Sequence, residues 1–124
     1  NENELSKIIV NKCYEIHTAL GPGLFESVYE EILHYELVQA KLSVERQVPV
    51  PIVYKEIKLY QGFKIDILVE NSVILELKSV ENILPVHKKQ LLTYLKLTGL
   101  KLGLLINFNS AMIKDGITRI VNKL

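Results

Sequence analysis

Two β-forming runs flank Glu70-Asn71-Ser72 in GFKIDILVENSVILELKSV, residues 62 to 80. Such runs around so short a connection fold back on each other, so the spacing predicts a hairpin. On its first strand Phe63, Ile65, Ile67 and Val69 alternate with Lys64, Asp66 and Leu68. On its second, Val73, Leu75, Leu77 and Ser79 alternate with Ile74, Glu76 and Lys78. Each strand is therefore apolar on one face and charged in the middle of the other. A solvated face would explain the charges, but Leu68 and Ile74 accompany them, so partial cover is expected there too.

Register decides whether the charges meet. Asp66 stands opposite Glu76 only if Val69 pairs with Val73 across a three-residue loop, which also sets Lys64 against Lys78. A two-residue Asn71-Ser72 turn would send the two acids to opposite faces. The three-residue loop is the expectation adopted, with Asn71 or Ser72 as its left-handed residue.

The rest of the chain frames this hairpin. Leu5, Ile8, Ile9, Cys13, Ile16 and Leu20 recur at helical spacing, predicting a helix over 3–20 that Gly21-Pro22-Gly23 stops. A second helix is expected over 24–40, with Phe25, Val28, Tyr29, Ile32 and Leu33 buried. Glu26 falls on a stripe with Tyr29, Leu33 and Leu37, at the edge of that face and near the helix N-terminus, where the backbone dipole favours an acid. Glu36 lies nearer the middle of the apolar arc, and periodicity does not explain it. After Lys41 the apolar period becomes two. Pro49 and Pro51 mark an edge strand or bulge in this stretch. Pro85 opens a helix over 86–98 that Gly99 ends, Leu102 to Phe108 reads as a buried strand, 109–116 as a turn, and 117–124 as a strand or short helix.

This order predicts one α/β domain over residues 1–124, a mixed central sheet with helices on both faces. At 124 residues such a domain needs no disulfide or structural metal to fold. Cys13 is the only cysteine, which excludes an internal disulfide and thiolate-rich metal centres, and it is expected in the core. His17 is expected to pack at a helix end. No apolar run approaches the ~18 residues of a membrane span, and the N-terminus lacks the pattern of a signal peptide, so the cytoplasm is the expected compartment. Residues 1–83 carry eight Lys/Arg against thirteen Asp/Glu, whereas 84–124 carry seven against one. The basic C-terminal third suits either a solvated face or a polyanion-facing surface.

In the adopted register the β-carbons of Asp66 and Glu76 lie about 4.5–5.5 Å apart, and like charges so placed destabilise a sheet unless a cation neutralises them. Two hard oxygen ligands without Cys or clustered His suit Mg²⁺ or Mn²⁺ better than Zn²⁺. Lys78 projects into the same space, where its ammonium could orient or activate a water or stabilise a phosphate. Acid, acid, lysine and divalent metal make a device for phosphodiester hydrolysis.

Asp66 followed after nine residues by Glu76-Leu77-Lys78 resembles the D-x(n)-[DE]-x-K signature of the PD-(D/E)XK nuclease superfamily. Gly23-Leu24-Phe25-Glu26-Ser27-Val28-Tyr29 is similar to the G-x-x-E-x-x-Y pattern of the GxxExxY family within it, and the likeness extends over nearly the whole chain. Ile65 replaces the proline of the PD pair. The resemblance implies a restriction-endonuclease-like αα-βββ-α-β core and a metal-dependent nuclease acting on DNA ahead of RNA. It further implies that Glu26 adds a metal or water contact, and that Gln90 and Tyr94 correspond to the Q-x-x-x-Y element that supports the site or touches DNA. The alternative is a catalytically inactive nuclease-fold module that binds nucleic acid or a protein. A homodimer would be one way for so small a domain to hold a duplex.

Overall fold

The computed structural model describes residues 1–60 and 62–124. Along the chain run α1 (Glu2–Leu20), α2 (Glu26–Gln39), β1 (Val44–Pro49), β2 (Ile52–Tyr54), β3 (Ile57–Leu59), β4 (Lys64–Val69), β5 (Val73–Lys78), α3 (Pro85–Thr98), β6 (Leu102–Asn107), α4 (Ile113–Gly116) and β7 (Ile117–Val121). Five strands form one mixed sheet in the order β1-β4-β5-β6-β7. Among the described residues its only parallel pair is β5 with β6, joined by α3 as the crossover. The proline-flanked strand β1 sits at the edge, as the missing N–H groups require.

Both sheet faces are covered. Ile9, Cys13, Tyr29, Leu33 and Leu37 of α1 and α2 pack on Ile67, Val69, Leu75, Leu77 and Leu104. Leu91, Tyr94 and Leu95 of α3 pack on Leu68, Ile74 and Leu105 on the other side. Burial pushes the Cys13 thiol up to about 12, which makes it an inert core residue. His17 ends α1 by donating from Nε2 to the carbonyl of Ser110 at 2.9 Å. Glu36 is half-buried, lining a groove between α1 and α2 with Ile16 and Ala19 rather than sitting in the middle of the core.

Several expectations need correction. Helix α2 begins at Glu26, not 24, so Phe25 stays in extended backbone and is exposed; Val28 is exposed as well. The buried stripe is turned toward Glu30, giving Tyr29, Glu30, Leu33 and Leu37. The hairpin loop has three residues, with Val69 paired to Val73, but Glu70 (φ 50°) and Asn71 (φ 53°) are the left-handed pair. The cost of a left-handed glutamate is offset by contacts: Ser72 Oγ donates to its carbonyl and Ser43 N–H to its carboxylate. Strands β2 and β3 leave the main sheet as a separate two-stranded ribbon.

The alternation along β4 also breaks. Ile67 faces α1 and α2, whereas Ile65 and Phe63, expected on that same face, pack with the α3 cluster. The change of phase falls at Asp66. Directly across from it, Gln47 of β1 has a left-handed backbone (φ 52°), and the β1–β4 ladder skips that pair. A one-residue change of phase sends every following side chain to the other face.

Candidate active site

The β4–β5 ladder pairs Val69 with Val73, Leu68 with Ile74 and Ile67 with Leu75, then stops. One step further, where Asp66 and Glu76 would pair, the strands part, and the expected pairing of Lys64 with Lys78 does not form. The side chains take over from the backbone at this fork. Asp66 Oδ2 accepts from the Leu77 N–H at 2.9 Å, and the Asp66 N–H lies 3.4 Å from Glu76 Oε1. Two strand amides that lost their ladder partners are thus held by the acids themselves.

Glu76 is buried, at 6% exposure. That burial, reinforced by the charge of Asp66 beside it, pushes its carboxyl up to about 9; Lys78 opposes the shift. Tyr94, also buried, is held above the usual phenol range by burial and by the same two carboxylates, so it remains a hydrogen-bond donor.

Helix α2 is aimed at this fork by a small clamp. Tyr29 Oη donates to the Gly21 carbonyl at 2.6 Å and accepts from the Leu24 N–H at 3.2 Å. Ser79, one residue past Lys78, donates from Oγ to the Leu24 carbonyl at 2.6 Å. Gly23 supplies the positive φ (102°) that this tight approach needs. Glycine, glutamate and tyrosine at that spacing therefore form one device: the loop turns, the tyrosine ties it, and Glu26 emerges in the first helical turn beside the sheet. On the other side, buried Asn107 holds the segment after β5 through the Val80 N–H (3.1 Å) and carbonyl (2.9 Å). Phe108 N–H bonds the Lys78 carbonyl, which fixes the backbone of that lysine.

All six residues singled out in the sequence line one cavity of about 460 Å³: Glu26 from α2, Asp66 from β4, Glu76 and Lys78 from β5, Gln90 and Tyr94 from α3. Phe63 braces Tyr94 edge-on, with ring centroids 5.9 Å apart. Glu30, Gln47 and Lys64 line the same cavity and were missed. Glu30 had a legible signal, because it lies one helical turn after Glu26 and so shares its face. Its Oε2 receives Arg46 Nε at 3.0 Å and Nη2 at 2.9 Å, and its Oε1 receives Gln47 Nε2 at 2.7 Å. Gln47 Nε2 also reaches Asp66 Oδ1 at 3.4 Å, linking helix acid to sheet acid. The left-handed backbone that presents Gln47 left no trace in the sequence.

A family profile for the PD-(D/E)XK nuclease superfamily matches residues 3–120. The chain belongs to that superfamily. No curated protein and no solved structure matches it. The mixed sheet with helices on both faces is the restriction-endonuclease-like architecture of PD-(D/E)XK proteins. The superfamily is one of nucleases, which act on nucleic acid and generally use divalent metals. Among the described residues, no three acidic, histidine or cysteine side chains are drawn together tightly enough to hold an ion. The donor chemistry of this PD-(D/E)XK site nevertheless fits a hard cation, because Asp66 and Glu76 are a close carboxylate pair whose mutual repulsion and burial a positive ion would relieve. No described helix is long and apolar enough to cross a membrane.

Proposed function

We propose that this chain is a metal-dependent nuclease of the GxxExxY group, one domain across residues 1–124, that hydrolyses phosphodiester bonds in DNA ahead of RNA. The reading places it in the cytoplasm, with pairing of two copies as a way to span a duplex. The observation that carries it is the shared cavity of Glu26, Asp66, Glu76, Lys78, Gln90 and Tyr94, side chains from four separate elements.

In this reading Asp66 and Glu76 hold Mg²⁺ or Mn²⁺ and Glu26 adds a third contact to the ion or its water. When bound, the cation supplies Lewis acidity to the water and the phosphate. Lys78 orients the attacking water and offers its ammonium to the developing charge on the phosphate. Gln90 and the protonated Tyr94, one helical turn apart on α3, donate hydrogen bonds that position the strand. Glu30 and Gln47 keep Asp66 in place.

A second reading, a binding module that keeps the fold without turnover, draws on the same loose spacing of the three acids. Melting curves with added Mg²⁺ or Mn²⁺ separate the two. The nuclease reading expects a rise in Tm for wild type that Asp66→Ala lacks, followed by cleavage of linear, single-stranded or branched DNA that Lys78→Ala abolishes. Equal metal responses, or cleavage unaffected by Lys78→Ala, would overturn it.

A further inference from the structure

Phe25 is the most exposed large apolar side chain among the described residues, at 82%. It works against the fold twice. An aromatic ring is left in water, and the N-cap of α2 is filled by a residue with no side-chain oxygen for the first-turn amides. Nor is the exposure a matter of slack. The Tyr29 hydroxyl and Ser79 Oγ tie both backbone groups of the preceding Leu24, which holds Phe25 in an extended conformation (φ −68°, ψ 152°). Phe25 lines a second cavity of about 510 Å³ together with Ser27, Ser79 and Asn109. That cavity adjoins the one containing the sheet acids, with Glu26 and Ser27 lining both.

An exposed aromatic side chain on a fixed backbone, with hydroxyl and amide residues lining the same cavity beside the proposed phosphodiester site, is what stacks a nucleobase. Within a duplex the faces of a base are covered by its neighbours, so only an unpaired or frayed base can offer one to a side chain. Resting on the nuclease reading above, we propose that Phe25 is the stacking platform for an unpaired base next to the scissile phosphate. The substrate class is therefore nucleic acid that is single-stranded or frayed at the site, rather than intact duplex.

The test uses the whole chain, Mg²⁺ and hydrolysis-resistant phosphorothioate DNA carrying a fluorescent adenine analogue that is quenched on stacking. Wild type is expected to bind the single strand more tightly than a blunt duplex and to quench the probe. Phe25→Ala should weaken single-strand binding about ten-fold, abolish quenching, and leave duplex binding within about two-fold. Phe25→Trp should keep both properties, whereas Phe25→Leu, apolar but without a π face, should behave like alanine. Phe25→Ser should melt no lower than wild type because it supplies the missing cap, which separates lost stacking from lost folding. If Phe25→Leu binds like wild type, or Phe25→Ala weakens both strands equally, the ring is not a base platform and an apolar protein partner takes its place. If wild type binds and cleaves DNA and Phe25→Ala matches it on every strand, the inference fails alone. A wild type that neither binds nor cleaves any strand overturns the nuclease reading with it.

Discussion

Asp66 accepts the backbone N–H of Leu77 at 2.9 Å, just beyond the last rung of the β4–β5 ladder. Its carboxylate therefore closes the fork between the strands as well as facing the cavity. Asp66→Ala should cost about 1 kcal/mol, the low end of the penalty for a donor left unpaired, because losing the charge also relieves Glu76. Asp66→Asn keeps an acceptor and should melt within a few degrees of wild type while losing its response to Mg²⁺. Thermal melts of the two variants, with and without metal, check both halves.

Glu76 should make the stability of the metal-free protein depend on pH. Its folded pKa of about 9 lies above the ~4.3 of an unfolded glutamate, so the folded state holds the proton more tightly. The stability this contributes is complete below the unfolded value and is lost as pH rises toward the folded one. Tm in EDTA should fall between about pH 5 and pH 9. Glu76→Gln should flatten that fall and raise Tm at neutral pH, and added Mg²⁺ should flatten it in wild type alone.

Buried Glu30 pairs with the half-buried Arg46, with Nη2 2.9 Å from Oε2. Removing the arginine leaves the Glu30 carboxylate with Gln47 as its remaining protein partner and with solvent where the guanidinium was. Arg46→Ala should destabilise by about 1–2 kcal/mol, between the values for exposed and buried pairs, and a double replacement of Arg46 and Glu30 by leucine should recover most of that loss. Urea unfolding of the single and double variants measures it.

Two glycines sit where a side chain would not fit. A methyl group at Gly116 would land on the backbone carbonyl of Asn107, which cannot move cheaply, whereas at Gly103 it would meet Leu91 Cδ1 of α3 at 2.8 Å. Gly116→Ala should cost about 3 kcal/mol and Gly103→Ala about 1 kcal/mol. Because Leu91 lies between Gln90 and Tyr94, the milder variant should lose more cleavage than stability. Comparing its Tm with its cleavage rate decides this.

What the sequence disclosed was whatever repeats. The helical spacing of Ile9, Cys13 and Ile16 and the alternation along Val73, Leu75 and Leu77 follow from burial against one face, and both hold. That Asp66, Glu76 and Lys78 come near one another was legible from the three-residue hairpin loop, whereas Gln90 and Tyr94, which line the same cavity, were pointed to by the family resemblance alone. Periodicity failed where the backbone departs from it. At Gln47 a left-handed residue changes phase; at Asp66 the strands diverge, and Ile65 crosses to the α3 side. Phe25 was expected inside because the helix was started two residues early. These departures cluster around the cavity, where local pattern and global packing disagree.

The fork at Asp66 bears on how such a chain would age if it lost its chemistry. A carboxylate that satisfies a strand amide is useful to the architecture even when nothing is hydrolysed, so drift would erase it late. Lys78 has no such second duty among the described side-chain hydrogen bonds and ion pairs. If the proposed hydrolysis is right, the identity of the residue at 78 in any descendant of this protein is thus the more sensitive record of whether that reaction survives.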